Sequence, residues 1–372
     1  MEESSLLHTC NKTTSTFTLN NPSKINALNQ EMITTMLSVI TSYQTEQAQN
    51  IPKILFYEAN GKHFCSGGNV VSIYNAVKDK EYKEIEESYK TIVNLIKLSI
   101  EMKPLQIVLW KGFVMGGGVG ISINAPIRIA TETTTFSMPE CQLGHFPDVG
   151  ASYFFRKFYE DCLPIGLYVG LMGYRLKGKE LINCGIATHI IKENQWDEIK
   201  KEIEQIEMEN SSKDDIKNKV DEILKKYRNE EVMNKEGEGY LNENKEFIME
   251  TFKPDSIFQI VKRLEYLSEN NKGNQKAKDF ADNTLKFINK SSPLSMLIFV
   301  EMFKQAEQLN SITECFERDF ESSMQTMING DFTEGVRSIL IDKDKQFNWK
   351  YKTVQDISEP EEIIKKFCPW KK

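Results

Sequence analysis

Along the first half of the chain the apolar positions switch repeatedly between a short and a long period. Thr14–Leu19 is rich in β-formers and is stopped by Asn20-Asn21-Pro22, which predicts a strand and a turn. Over residues 27–43, Leu28, Met32, Met36, Val39 and Ile40 recur every three or four positions, a helical spacing. Residues 53–57 read as a second strand ending at Asn60-Gly61, and Gly67-Gly68-Asn69 opens a helix to about Val77. The charged stretch 78–102 reads as helical throughout. Leu105–Trp110 reads as a buried strand running directly into a triple glycine. Residues 127–130 and Thr135–Ser137 read as short strands, with more helix from Asp148 onward. Strand, glycine turn and helix thus follow one another twice, at 56–73 and 107–123, which predicts an α/β fold.

The second half changes character. Residues 194–247 are rich in Lys, Glu and Asn, and 213–231 reads as a solvated helical face or a partner-facing helix. Beyond it, 256–267, 274–289, 293–309 and 312–328 each fit an amphipathic helix. Ser292-Pro293 carries the signature of an N-cap followed by proline at the first helical position.

Composition narrows the function classes. A chain of 372 residues, 40% hydrophobic and 27% charged, suits a globular protein with one large core or a core plus subdomain. Its net charge of -7 lacks the basic footprint of direct nucleic-acid binding, and no motif for it appears. No apolar run reaches the roughly 20 residues a membrane span requires. The seven cysteines form no CxxC pair and the four histidines show no ligand spacing, so no metal site is expected. The acidic start, Met1-Glu2-Glu3-Ser4-Ser5, lacks the pattern of a mitochondrial presequence.

Candidate chemistry gathers at glycines and carboxylates. Met115-Gly116-Gly117-Gly118-Val119-Gly120 matches neither a phosphate-binding loop nor a dinucleotide fingerprint. With Phe64-Cys65-Ser66-Gly67-Gly68-Asn69 it offers two sets of bare backbone N–H groups, the parts of an oxyanion hole. Cys65 in that turn reads as a small packing residue. Glu140 and Asp148 follow within apolar surroundings, where burial would raise a carboxylate pKa toward a useful range. At eight residues' separation they can meet only across the turn holding Gly144 and Pro147. His145 lies near enough in sequence to modulate them.

Together with Leu19-Asn20-Asn21-Pro22, Asn26-Ala27-Leu28, Met138-Pro139-Glu140, Phe146-Pro147-Asp148-Val149-Gly150 and the later pair Glu334-Gly335-Val336-Arg337 and Ile341-Asp342-Lys343-Asp344, these segments carry a resemblance. The chain resembles the crotonase (enoyl-CoA hydratase/isomerase) superfamily, in its hydrolase branch, over nearly its whole length. The resemblance implies a ββα spiral core that binds acyl-CoA over 1–195, then a charged helical insert and helical C-terminal region over 196–372. It implies an oxyanion hole at Gly68 and Gly117, catalytic Glu140 and Asp148, and substrate contacts at Gly67, Gly116, Gly120, Asn26, Ala27 and Leu28. Where hydratases of the superfamily carry a second glutamate this chain has Gly120, which implies hydrolysis of a short β-hydroxyacyl-CoA, 3-hydroxyisobutyryl-CoA being the expected substrate. Coenzyme A would enter only as part of that substrate, with no other cofactor or metal. A mitochondrial location is implied. So is an alternative role in the small subunit of the mitochondrial ribosome, with ribosomal proteins as partners. Asn69, Asn21 and Ala151-Ser152 depart from the family's usual Asp, Arg and glycines; none of these removes a catalytic group.

Overall fold

The structure, a computed structural model, describes residues 4–44, 51–234, 239–270 and 273–371. Its strands are β1 (Leu6–Cys10), β2 (Thr14–Leu19), β3 (Ile54–Ala59), β4 (Leu105–Trp110), β5 (Phe113–Met115), β6 (Ile127–Thr131), β7 (Thr135–Ser137), β8 (Leu176–Lys177) and β9 (His189–Ile191). Six form a sheet in the order β1-β2-β3-β4-β6-β9, with β1 antiparallel to β2 and every other pairing parallel. Strands β4 and β6 are buried at every position, as parallel strands covered on both faces must be. A smaller sheet runs β5-β7-β8. The expected α/β fold with a helical C-terminal region is what the chain adopts.

The chain divides into two compact units: Met1–Asn69 with Lys90–Phe136 and Arg175–Gly237, and Val70–Tyr89 with Ser137–Tyr174 and Glu238–Lys372. Position 195 therefore falls inside the first unit.

In the first unit, Ile54, Phe56, Ile107, Leu109, Ile127 and Ile129 present apolar side chains to the helices Trp196–Glu204 and Lys213–Lys226. Trp196 meets Phe56 edge-on, centroids 5.9 Å apart, while its indole N–H donates to Glu58 at 3.0 Å. Lys200 reaches the same carboxylate at 3.1 Å, so the edge of this packed aromatic pair is fully engaged. The Lys/Glu/Asn-rich stretch is thus only half solvated. Ile216, Val220, Ile223 and Leu224 fall on one stripe of the Lys213–Lys226 helix and complete the core, leaving the lysines and acids outside. A Ser212–Asp215 capping box starts that helix. Residues 235–238 of the stretch lie outside the described residues.

The second unit is built from helices, the most buried being Pro293–Gln305, in which residues 293–303 are all buried. Ser292 caps it as expected, accepting from the Ser295 N–H at 3.1 Å with Pro293 at the first helical position. Around it lie Ala151–Phe158, Leu163–Leu171 and Pro360–Phe367, among others.

Three local expectations are corrected. The helix expected from residue 27 begins at Gln30, because Leu28 is drawn into a bridge with Gly68. The stretch 78–102 is not helical throughout: the preceding helix, Val70–Lys78, ends at its start, Lys80 is left-handed (φ 61°), and a second helix runs Tyr82–Glu101. Strand β5 intervenes between β4 and the triple glycine.

Phe56 is fully buried between the sheet and Trp196, so Phe56→Ala should destabilise the protein by about 3–5 kcal/mol. Chemical denaturation monitored by tryptophan fluorescence measures this, and a loss below about 1 kcal/mol would contradict the assigned core.

Candidate active site

The expected site residues fall into two groups, one in each unit. In the first unit the two glycine turns lie against one another. A bridge pairs Cys65 with Val114, and the Met115 N–H donates to the Cys65 carbonyl at 3.0 Å. Gly118 then sits directly over Cys65: a Cβ there would come within 2.5 Å of the Cys65 Cβ. Only glycine lets the backbone approach this closely. Cys65 is indeed a packing residue, fully buried, with its thiol pushed up to about 12 by burial.

This packing leaves the Gly68 nitrogen 3.3 Å from the point a Gly117 Cβ would occupy, with the Leu28 Cδ1 at the same distance. Gly117 opens a helical turn, Gly117–Gly120, so its N–H has no partner within that turn. Among the described residues neither the Gly68 nor the Gly117 amide donates a hydrogen bond. Two free donors from separate turns therefore come together, with Gly67 and Gly116 as the flexible positions before each. Gly120 is buried and spends its N–H on the Gly116 carbonyl.

The Asn26 side chain is committed to the fold. It accepts from the Asn21 N–H at 2.7 Å and donates to the carbonyls of Asn60 and His63 at 2.9 and 2.8 Å. It ties three loops together, with its own backbone left-handed (φ 51°). Ala27 donates its N–H to the Lys24 carbonyl, and Leu28 links to the Gly67 carbonyl at 2.8 Å.

In the second unit, Glu140 begins a 3-10 turn, Glu140–Leu143, closed by left-handed Gly144 (φ 70°). A Cβ on Gly144 would lie 2.2 Å from the Asp331 carbonyl oxygen, so the turn can only be made by glycine. Glu140 is buried, and its Oε2 has no hydrogen-bond partner among the described residues. Desolvation, followed by the neighbouring charge of Asp148, pushes its pKa well above the usual carboxylate range. The two carboxylates thus do face each other's field across the turn.

Asp148 is partly exposed and differently supplied. Its Oδ2 accepts from the Tyr89 hydroxyl at 2.9 Å and lies 3.6 Å from the His145 Nε2. The placement of His145 beside it agrees with the sequence expectation. Tyr89 is itself kept protonated, its pKa driven up by burial and then by the charges of Asp148 and Asp319. Sequence reasoning missed Tyr89 and Asp319. The one available signal was polarity where the 312–328 pattern calls for apolar residues.

The first unit presents two free amide donors, groups of the kind that stabilise charge on a carbonyl oxygen, and the second unit holds a buried carboxylate with one unpartnered oxygen in the field of a second carboxylate. Among the described residues no helix is long and apolar enough to cross a membrane, and no group of three or more His, Cys, Asp or Glu is placed to hold a metal ion.

The chain belongs to the enoyl-CoA hydratase/isomerase family, whose model matches residues 14–367. It is 32% identical over 353 residues to the mitochondrial 3-hydroxyisobutyryl-CoA hydrolase of Dictyostelium discoideum, covering 92% of this chain and 86% of that protein. The mitochondrial enzyme of the same name from Gallus gallus is 33% identical over 347 residues, covering 92% and 83%. A carnitinyl-CoA dehydratase structure from Mycobacterium thermoresistibile shares the fold, with a TM-score of 0.79, 23% identity, and coverage of 98% of this chain and 96% of that one. The ribosomal reading draws no support from these relatives.

The raised pKa of Glu140 has a consequence for stability. Between its unfolded value near 4.5 and its higher folded value, the folded protein holds more protons than the unfolded chain, so stability falls as pH rises. Glu140→Gln removes that burden. Its melting temperature should match wild type at pH 4.5 or below and exceed it by about 2 °C or more at pH 8. Thermal melts across that range check this; a variant less stable than wild type at pH 8 would show that Glu140 is not the desolvated group described.

Proposed function

We propose that the chain hydrolyses 3-hydroxyisobutyryl-CoA, or a closely similar short β-hydroxyacyl-CoA, in mitochondria. The observation that carries the reading is Glu140: buried, with one oxygen unpartnered, in a chain about one-third identical over nearly its whole length to hydrolases of that name. Their names also supply the proposed mitochondrial location.

In this reading the Gly68 and Gly117 N–H groups receive the thioester oxygen as negative charge develops on it, a role in which one donor is worth roughly 2.7–4 kcal/mol. Glu140 acts as nucleophile: its carboxylate adds to the thioester carbon, the C–S bond breaks, and CoA leaves as the thiolate and takes up a proton. Water then opens the acyl anhydride, restoring the carboxylate and releasing the hydroxy acid. If Glu140 instead deprotonates water, the same groups serve and no anhydride forms. Asp148 orients the water and passes its proton on. Gly67, Gly116, Gly120, Ala27 and Leu28 supply backbone and apolar surface around the acyl group, and Asn26 acts indirectly by holding its loops. Gly120 leaves no second glutamate for hydration of a double bond. Coenzyme A is needed only as part of the substrate.

The test is release of free CoA thiol by the purified full-length chain from 3-hydroxyisobutyryl-CoA. Glu140→Gln should lower kcat by roughly 10²–10⁴-fold. Because Glu140 must be ionised to react, kcat/KM should fall about tenfold per pH unit on the acid side, with the break above pH 4.5. An inert wild type, or a Glu140→Gln variant as active as wild type, would overturn the reading.

A further inference from the structure

We propose that the buried polar stripe of the Ile312–Asn329 helix, acting through Tyr89 and through the Gly150 amide, is the device that positions Asp148; this role rests on the hydrolase reading above. The residues of the stripe are Asp319, Ser323 and Thr326, spaced by four and three positions and so aligned on one helix face. All three are essentially inaccessible to solvent. The buried side of the helix also carries Cys315, Phe316, Met327 and Ser322, the last accepting from the Trp370 indole at 2.9 Å, so the stripe runs along a seam of mixed character. Polar side chains cost free energy in such a place unless each has a partner. Apart from the Cys315 thiol that reaches Asp319 and the Ser322 and Ser323 carbonyls that Thr326 reaches within the helix, the partners here lie on or beside the Asp148 turn.

Ser323 donates to the Tyr89 hydroxyl at 3.0 Å, and Tyr89 donates in turn to Asp148 Oδ2 at 2.9 Å. With its single proton committed to Tyr89, Ser323 meets the His145 Nε2 at 3.5 Å as an acceptor. Thr326 holds the other ring nitrogen, Nδ1, at 2.9 Å, fixing the imidazole against the carboxylate. One turn earlier on the helix, Asp319 Oδ2 accepts from the Gly150 N–H at 2.6 Å. That anchor sits where the backbone is least comfortable. Val149, a β-branched residue, is left-handed (φ 48°), and Gly150 follows at φ 90°. A Cβ on Gly150 would come within 2.9 Å of Phe316 of the same helix. Strain of this kind persists only where the surroundings over-determine it.

The selectivity of the contacts argues for positioning rather than filling. Tyr89 and His145 both address Oδ2, and among the described residues Oδ1 accepts no hydrogen bond. One oxygen is held and the other is left available to water or substrate.

Kinetics of full-length variants on 3-hydroxyisobutyryl-CoA separate positioning from simple packing. Tyr89→Phe keeps the ring and should lower kcat by roughly 10- to 100-fold with KM changed less than about threefold. Ser323→Ala should lose about three- to tenfold in kcat. The double variant should be no worse than Tyr89→Phe alone within about twofold, because Ser323 acts through Tyr89. Asp319→Asn retains an acceptor for the Gly150 N–H and should stay near wild type, while Asp319→Leu loses kcat. A Tyr89→Phe enzyme with wild-type kcat, or losses that multiply in the double variant, would overturn the positioning role and leave the hydrolase reading standing. A wild type that releases no CoA would overturn both.

Discussion

Removing the Glu140 carboxylate from water is the constraint around which the second unit is arranged. A buried carboxylate costs several kcal/mol unless it is paired, and among the described residues this one has no hydrogen bond at Oε2. The cost is reduced by protonation, which is the physical content of its raised pKa. It is sustained by a backbone that cannot relax away from it. Gly144 seats the turn on the Asp331 carbonyl, and Asp331 is in turn fixed by Ser292 at 2.6 Å and by the Lys350 N–H at 3.0 Å. Ser292 is also the cap of the most buried helix. The strain of one desolvated group is thereby spread over a helix start, a glycine turn and a C-terminal loop.

The rest of that interior handles polarity differently. Asp319, Ser323 and Thr326 are all satisfied, and their partners connect into one network ending on Asp148. Buried networks of this sort confer a single arrangement more than they confer stability. Full satisfaction in the network stands in contrast to the unpartnered Oε2 of Glu140, the kind of local conflict that well-packed interiors otherwise avoid.

Much of the fold was legible because its strands and caps obey local rules. Strands β2 and β4 matched their apolar runs to the residue, and Ser292-Pro293 behaved as its cap chemistry requires. Legibility failed where long-range pairing decides local structure. The Leu28–Gly68 bridge overrides helical spacing at residue 27, and nothing in a period could reveal it. Composition hid the burial of the Lys213–Lys226 helix, since four apolar residues among many lysines and acids still make a stripe wide enough to bury. Among the site residues, the close approach of Gly68 and Gly117 and the burial of Glu140 follow what glycine turns and apolar neighbours implied. Asn26 illustrates the opposite: its side chain is spent on loop closure, a role visible only once its three backbone partners are in place.

Two carboxylates eight residues apart could have been equivalent, and their surroundings make them different. Glu140 is buried, has one oxygen unpartnered among the described residues and is penalised for its charge, whereas Asp148 is partly exposed and carries a phenolic donor on one oxygen. A desolvated carboxylate with a free oxygen is a stronger nucleophile than one already hydrogen-bonded, because it gives up less solvation on forming a bond. A hydrogen-bonded carboxylate with one open oxygen is better suited to hold water and relay its proton. On the proposed hydrolase reading, the unequal environments suit Glu140 to the nucleophile's part and Asp148 to the water-holding part. With Gly120 contributing only backbone, the proposed division of labour rests on Glu140 and Asp148 alone, two groups whose different surroundings suit them to different steps of a hydrolysis.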